Sequence, residues 1–201
     1  MSFFENTRKP VGFGGKLMVA MMNLGHSPVA RWGLQFLNAA PDAKVLDCGC
    51  GGGANIKRLL KKCPQGIVKG IDYSPISVEK SKKVNEAAIV EGRCAILQGS
   101  VADMMFADSR FDAATAFETV YFWPDLPQYF REVYRVLKPG GTFLICNESN
   151  GDTDKDEKWT EIIGGMIIYK DAELKAYLEQ AGFHDVQTHK KKSWLCITAR
   201  K

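Results

Sequence analysis

The chain lacks nearly every feature that betrays a specialised class by composition. It has no basic start followed by an unbroken apolar run, so no secretory leader is expected. Its longest apolar stretch, Leu17 to Leu24, is too short to span a bilayer and is closed by Gly25, His26 and Pro28. No membrane partner is expected on that ground. An excess of one charge is also missing: 27 Lys and Arg face 23 Asp and Glu, a formal charge of +4. A nucleic-acid binder usually concentrates its cations in a stripe. The single dense run here, His189-Lys190-Lys191-Lys192, reads as a solvated turn or edge strand, with contact to an acidic partner or phosphate as the second reading. The six cysteines are scattered, three of them in strand-like apolar runs, so a disulfide framework is not expected. Cys48 and Cys50 form a C-x-C pair that no second Cys or His cluster completes, so no metal is expected. Internal repeats and low-complexity segments are missing too. What remains is an ordinary globular composition, 45% hydrophobic and 25% charged over 201 residues, enough for one cytoplasmic domain with a core of its own.

What is present is a regular alternation. Residues 1–15 are a polar, Gly-rich lead-in, and 16–24 and 28–38 read as two short helices, with Ser27 as cap and Pro28 in the first turn of the second. Strands are then expected at 44–47, 66–72, 94–98, 111–117 and 142–147. Helices are expected at 54–63, 75–91 (capped by Ser74) and 126–137. Strands alternating with helices predict a parallel sheet covered on both faces. The ending departs from this: a helix over 172–181 precedes strands at 185–190 and 194–199, whose link is too short for a parallel crossover. Residues 150–160 are polar and acidic and read as an exposed loop or frayed helix start.

The first strand runs into Val45-Leu46-Asp47-Cys48-Gly49-Cys50-Gly51-Gly52-Gly53 and then directly into a helix. Glycines permit a sharp turn and close approach of a ligand, and the N–H groups opening a helix favour negative charge. Either a dinucleotide pyrophosphate or the carboxylate of a methionine moiety suits such a turn, and Gly49-Cys50-Gly51-Gly52-Gly53-Ala54 also fits the nicotinamide pattern G-x-G-x-x-A. Asp47 argues against the pyrophosphate, since an anion there repels phosphate and attracts an ammonium group. Asp72, ending the second strand, suits ribose hydroxyls in either case. The reversed final strand pair is not needed by a plain dinucleotide fold.

With these residues in place the chain resembles the class I S-adenosylmethionine-dependent methyltransferases over roughly residues 40–201, in particular small bacterial ones acting on small molecules. Asp47-Cys48-Gly49-Cys50-Gly51 matches their first motif and Gly70-Ile71-Asp72-Tyr73-Ser74 their ribose-binding strand end. Gln98-Gly99-Ser100-Val101-Ala102-Asp103 lies where they place the adenine loop, and Arg135-Val136-Leu137-Lys138-Pro139-Gly140-Gly141 matches the turn before their fifth strand. The resemblance implies an α/β, Rossmann-like three-layer sandwich whose seven-stranded, mostly parallel sheet has its last strand antiparallel. A helical lid (1–40) precedes the cofactor-binding domain (41–201).

The implied cofactor is S-adenosylmethionine, bound by Asp47, Gly49, Cys50, Gly51, Asp72, Tyr73, Gly99, Ser100, Val101 and Glu118. Asp47 would hold the methionine ammonium, directly or through water, and Tyr73 would stack on or pack beside adenine. The adenine loop often reads Gly-Asp in this family. Ser100 stands there instead, so the adenine amino group could meet Ser100, Asp103 or the Val101 backbone. His26 and Glu118 are the candidate catalytic residues, each with a plainer reading: His26 satisfied by backbone, Glu118 bonding only its own loop. Tyr121 and Trp123, in an aromatic loop after the fourth strand, are candidate walls of the substrate pocket. Tyr134 and Lys138 form a Y-x-x-x-K pattern that is discounted as chance at a helix end. The expected reaction is methyl transfer to a small-molecule acceptor by a monomer or homodimer. The alternatives are an RNA or protein methyltransferase, a non-catalytic cofactor-binding module, and a nicotinamide-dependent oxidoreductase.

Overall fold

Strands that are buried on both faces need covering layers on both, and the central strands here are of that kind. In the computed structural model, which describes residues 10–201, β1 (Lys44–Cys48) and β4 (Phe111–Phe117) are buried along almost their whole length. They lie at the middle of a seven-stranded sheet of order β3-β2-β1-β4-β5-β7-β6. The other strands are β2 (Ile67–Asp72), β3 (Cys94–Gln98), β5 (Leu137–Asn147), β6 (His184–Lys191) and β7 (Trp194–Arg200). β1 to β5 pair in parallel, and β7 runs antiparallel to both neighbours, β5 and β6. The expected mostly parallel sheet with a reversed final strand is therefore what forms.

Successive side chains of a strand point to opposite faces, and the core divides accordingly. Leu46, Phe143 and Ile145 face one layer, made by α6 (Leu126–Val136) and α8 (Asp171–Gln180) through residues such as Phe130, Val133, Leu174 and Leu178. Val45, Leu144 and Cys146 face the other, where α2 (Ser27–Gly33), α3 (Ala54–Lys62) and α4 (Pro75–Val84) supply Val29, Ile56, Leu59 and Val78. The remaining helices are α1 (Gly12–Gly25), α5 (Glu86–Val90) and α7 (Asp154–Ile162).

Element boundaries differ from expectation in several places. Residues 1–9 of the lead-in lie outside the described residues. Helix α1 begins at Gly12, within the stretch read as lead-in, and α2 stops at Gly33. Ser27 does not cap α2; it is the first helical residue, and its hydroxyl accepts from Arg58 Nη2 at 2.6 Å. Ser74 does cap α4, accepting from Ser77 N at 3.3 Å. The helix expected over 75–91 breaks at Asn85, whose side-chain amide donates to Gly53 O at 3.0 Å and Ser81 O at 2.9 Å. Such a side chain offers the backbone an alternative to helix. Strand β5 starts before the Pro139-Gly140-Gly141 turn, with a register shift against β4. The acidic stretch after residue 150 forms α7, with Thr153 and Asp156 making a capping box. His189, Lys190 and Lys191 of the basic run lie on the edge strand β6 and Lys192 in the turn after it, and Lys190 Nζ meets Asp152 at 3.0 Å and Asp171 at 3.1 Å.

Candidate active site

In an open α/β sheet the ligand crevice lies beyond the carboxyl ends of the strands. Here the ends of β1, β2, β4 and β5 converge on one cavity of about 1410 Å³. Two glycines shape its floor. Gly49 (φ +73°) and Gly51 (φ +50°) are both left-handed, a region other residues enter only at a cost. They differ in surroundings: a Cβ on Gly49 would overlap the Thr119 hydroxyl, whereas one on Gly51 would meet nothing within 4 Å. Gly51 therefore leaves a cradle open to the cavity. The turn's N–H groups are partly committed to β2. Gly49 N and Cys50 N donate to Ile71 O at 2.8 and 3.1 Å, and Gly51 N to Asp72 Oδ2 at 2.8 Å. Asn23 of α1 donates to Gly52 O at 3.0 Å, which fastens the lead-in to the turn.

The two aspartates occupy different positions. Asp72 lines the cavity; its other oxygen accepts from Ser74 N at 2.9 Å, so both backbone bonds hold it rigid while lone pairs remain for a ligand. Burial raises its pKa and the two N–H donors pull it back. Asp47 does not line the cavity. It is 1% exposed and accepts from the Thr115 hydroxyl at 2.7 Å. Burial lifts its pKa to about 7, opposed by the Thr115 bond, reinforced by the Asp72 charge and opposed again by that of Arg58. Cys50 lines the cavity with its thiol turned towards Ser81. Tyr73, Gly99, Ser100 and Val101 border the same end, and the Ser100 hydroxyl accepts from Ala102 N at 3.1 Å.

In the same cavity, His26, Glu118 and Glu148 each present a polar atom within 4.8 Å of the others. His26 comes from the junction of α1 and α2, Glu118 from the end of β4 and Glu148 from the end of β5. Glu118 adopts φ +56°, a conformation costing roughly 1–3 kcal/mol in a non-glycine residue and typical of functional sites. Its carboxylate accepts from Glu148 N at 2.5 Å. Burial, then the Glu148 charge, raise the Glu118 pKa well above the usual carboxylate range, against the favourable bonds from Glu148 N and the Tyr121 hydroxyl. Burial also raises Glu148 and lowers His26. His26 Nε2 and Glu148 Oε2 lie 3.8 Å apart, and burial disfavours the charged form of each. Two carboxyls sharing a site hold a proton that an isolated one would release. One His and two carboxylates are also a donor set that a divalent cation accepts.

Tyr121 is buried, lines the cavity and accepts from Ser149 N at 2.9 Å. Trp123 reaches the wall too, but most of its ring is core, stacked on Tyr129 at 5.0 Å. Sequence reasoning did not single out Glu148, although the rule that drew attention to Glu118, an acid at the carboxyl end of a central strand, applies to it equally. Met18, Met22 and Asn23 of α1 and Trp159 of α7 also line the cavity. Met21, on the other side of α1, points outward and is 53% exposed.

This geometry has counterparts. A chain in the complex of the Haloferax volcanii Trm112 methyltransferase activator with a methyltransferase superposes with a TM-score of 0.83, 21% identity and coverage of 92% of this chain and 93% of that one. A SAM-dependent methyltransferase from Aquifex aeolicus gives 0.77 at 18% identity, covering 92% and 97%. Both establish the fold. In sequence, "Sterol methyltransferase-like 2" of Botryococcus braunii is 37% identical over 131 residues, 63% of this chain and 33% of that protein. Cycloartenol-C-24-methyltransferase of Arabidopsis thaliana is 33% identical over 156 residues, 73% of this chain and 46% of that protein. The chain thus spans about a third to a half of the length of such relatives. Residues 46–145 match the methyltransferase domain family, over the stretch that holds Asp47, the glycine turn, Asp72 and Glu118. The chain belongs to the class I S-adenosylmethionine-dependent methyltransferases.

Proposed function

We propose that the chain transfers a methyl group from S-adenosylmethionine to a small, largely apolar acceptor. The observation that carries this reading is the continuity of one cavity from the Gly51 cradle and Asp72 to the His26, Glu118 and Glu148 cluster. At about 1410 Å³ it exceeds the ~300–1,000 Å³ typical of a site for one drug-sized ligand, which leaves room for donor and acceptor together.

The cofactor, when bound, supplies an electrophilic methyl group on a sulfonium centre. The residues present fit it: Gly51 leaves space at the turn and Asp72 offers fixed acceptor oxygens to a ribose. In this reading Asp47 faces the ammonium end from beneath the turn, with Gly49 and Cys50 forming the turn itself. Tyr73, Gly99, Ser100 and Val101 border adenine. Tyr121 and Trp123 wall the acceptor. Glu118 accepts a proton from the acceptor, Glu148 sets how readily it does so, and His26 closes the site from above as part of a lid formed by residues up to 40. Fixing two reactants in line can supply ~7–11 kcal/mol of the barrier, so position matters more than any one proton transfer.

An apolar acceptor is supported by the aromatic wall and by relatives named for sterol and botryococcene C-methylation. A nucleic-acid acceptor is disfavoured, because Lys190 of the basic run is already paired with Asp152 and Asp171. Six buried, unpaired cysteines favour a reducing, cytoplasmic setting. Among the described residues no helix is long and apolar enough to cross a membrane. Incubation with methyl-labelled cofactor and a panel of sterols, linear terpenoids and short polar amines tests the proposal. Label in an apolar product is the expected result; label only in polar amines, or in none, overturns it.

A further inference from the structure

Helix α1 is apolar on two opposite sides, and among the described residues only one of them is covered. Met18 and Val19 are buried, and Met18, Met22 and Asn23 line the cavity. On the other side Phe13, Leu17, Met21 and Leu24 are 84, 46, 53 and 79% exposed. At 100° per residue these four fall within about 80° of arc, one continuous stripe along the helix. Solvated helix faces normally carry charge, and a contiguous exposed apolar patch marks an interaction site.

The charges around the stripe select its occupant. From Asn6 to Pro41 the sequence has no Asp or Glu, while it has Arg8, Lys9, Lys16 and Arg31. Lys16 is the single charged residue of α1. It pairs with Glu79 at 3.9 Å, a surface contact of a kind that contributes little. An apolar stripe in a cationic, acid-free segment complements an anionic lipid surface. It does not complement a second copy of itself, because a two-fold pairing would set Lys16 and its neighbours against their own images.

We infer that α1 lies in the plane of an anionic membrane surface, with Phe13, Leu17, Met21 and Leu24 in the lipid. The helix, 14 residues long, is too short to span a bilayer, and lying in the interface does not require that it should. The same helix forms part of the cavity wall through its opposite side, so seating the stripe in lipid brings the cavity to the membrane. Trp159, which lines the cavity, and Ile162 and Ile167 are also exposed and belong to the second segment around it. This goes beyond the catalytic reading and does not depend on it.

The full chain is tested by co-sedimentation, without cofactor or acceptor, on vesicles of phosphatidylcholine alone and of phosphatidylcholine with phosphatidylglycerol in equal parts. Binding to the anionic vesicles that weakens with added salt is the expected result. The Phe13→Ser/Leu24→Ser double variant should lower partitioning about tenfold or more, since both side chains would lose their apolar burial. Lys16→Glu should weaken binding to anionic vesicles only. All three residues are exposed, so melting temperature and affinity for S-adenosylhomocysteine should stay at their original values in these variants, which separates this inference from the catalytic one. Wild-type protein that stays in the supernatant with both vesicles overturns the inference, and so do variants that bind as tightly as wild type. A dimer that dissociates in the double variant without any lipid binding assigns the stripe to a second copy and overturns it as well.

Discussion

Asp72 Oδ2 accepts a hydrogen bond from Gly51 N at 2.8 Å, which ties the end of β2 to the glycine turn after β1. The two motifs most recognisable in sequence are therefore one rigid unit. A hydrogen bond to a charged group contributes ~1.5–3 kcal/mol. Asp72→Ala should weaken binding of S-adenosylhomocysteine at least about tenfold by titration calorimetry. Unchanged affinity would sink the ribose assignment.

Gly49 and Gly51 share a left-handed backbone but not a neighbourhood. An added Cβ costs roughly 1–2 kcal/mol for the conformation at either position. At Gly49 it also displaces Thr119 and the loop that follows. Gly49→Ala should lower the melting temperature well beyond Gly51→Ala, whereas Gly51→Ala should keep its fold and lose cofactor affinity. Equal melting temperatures with equal affinities would contradict this division of roles.

Asp47 titrates at about 7 in the folded chain, against an ordinary 3.8. A folded-state pKa raised in this way stabilises the fold fully below pH ~4, and that contribution is lost as the pH rises through ~7. Asp47→Asn should flatten the decline in unfolding free energy over that interval. A cation brought against Asp47 favours its ionised form, so cofactor binding near pH 6 should release a proton. Calorimetry in two buffers of different ionisation enthalpy measures it. If the same release persists in Asp47→Asn, the residue is structural and the ammonium assignment fails.

Glu118 and Glu148 predict a linked pH profile. Burial and the Glu148 charge raise the Glu118 pKa, so turnover that needs the Glu118 carboxylate should rise with pH above the usual carboxylate range. Glu148→Gln removes the repulsion and should move that limb to lower pH. Glu118→Gln should cost about a hundredfold in kcat. A limb that stays in place in Glu148→Gln would disconnect the two residues.

The His26, Glu118 and Glu148 donor set offers a direct check on the metal-free expectation. Chelation with EDTA should leave turnover and melting temperature unchanged. Loss of turnover restored by a divalent ion would replace proton sharing by cation binding at this cluster.

Much of the architecture follows from local periodicity. Central strands such as Val45-Leu46-Asp47-Cys48 are apolar because both faces are covered. The short link between β6 and β7 forces an antiparallel pair. Boundaries were less legible where a side chain competes with the backbone, as Asn85 does by bonding Gly53 and Ser81. The same holds at Ser27, which bonds Arg58 instead of capping. Gly53 and Arg58 lie some thirty positions from the side chains they engage, beyond the reach of any local pattern.

The sequence by itself determined the alternating fold, the glycine turn and the acid at the end of β2, because each depends on residues adjacent in the chain. The tertiary structure alone decided that Asp47 lies beneath the turn rather than in the cavity. It also decided that Glu148 joins His26 and Glu118, and that Phe13, Leu17, Met21 and Leu24 of α1 are exposed. Strand order and helix packing bring such groups together or leave them exposed. Those contacts link residues far apart in sequence, so burial and charge repulsion there arise only on folding.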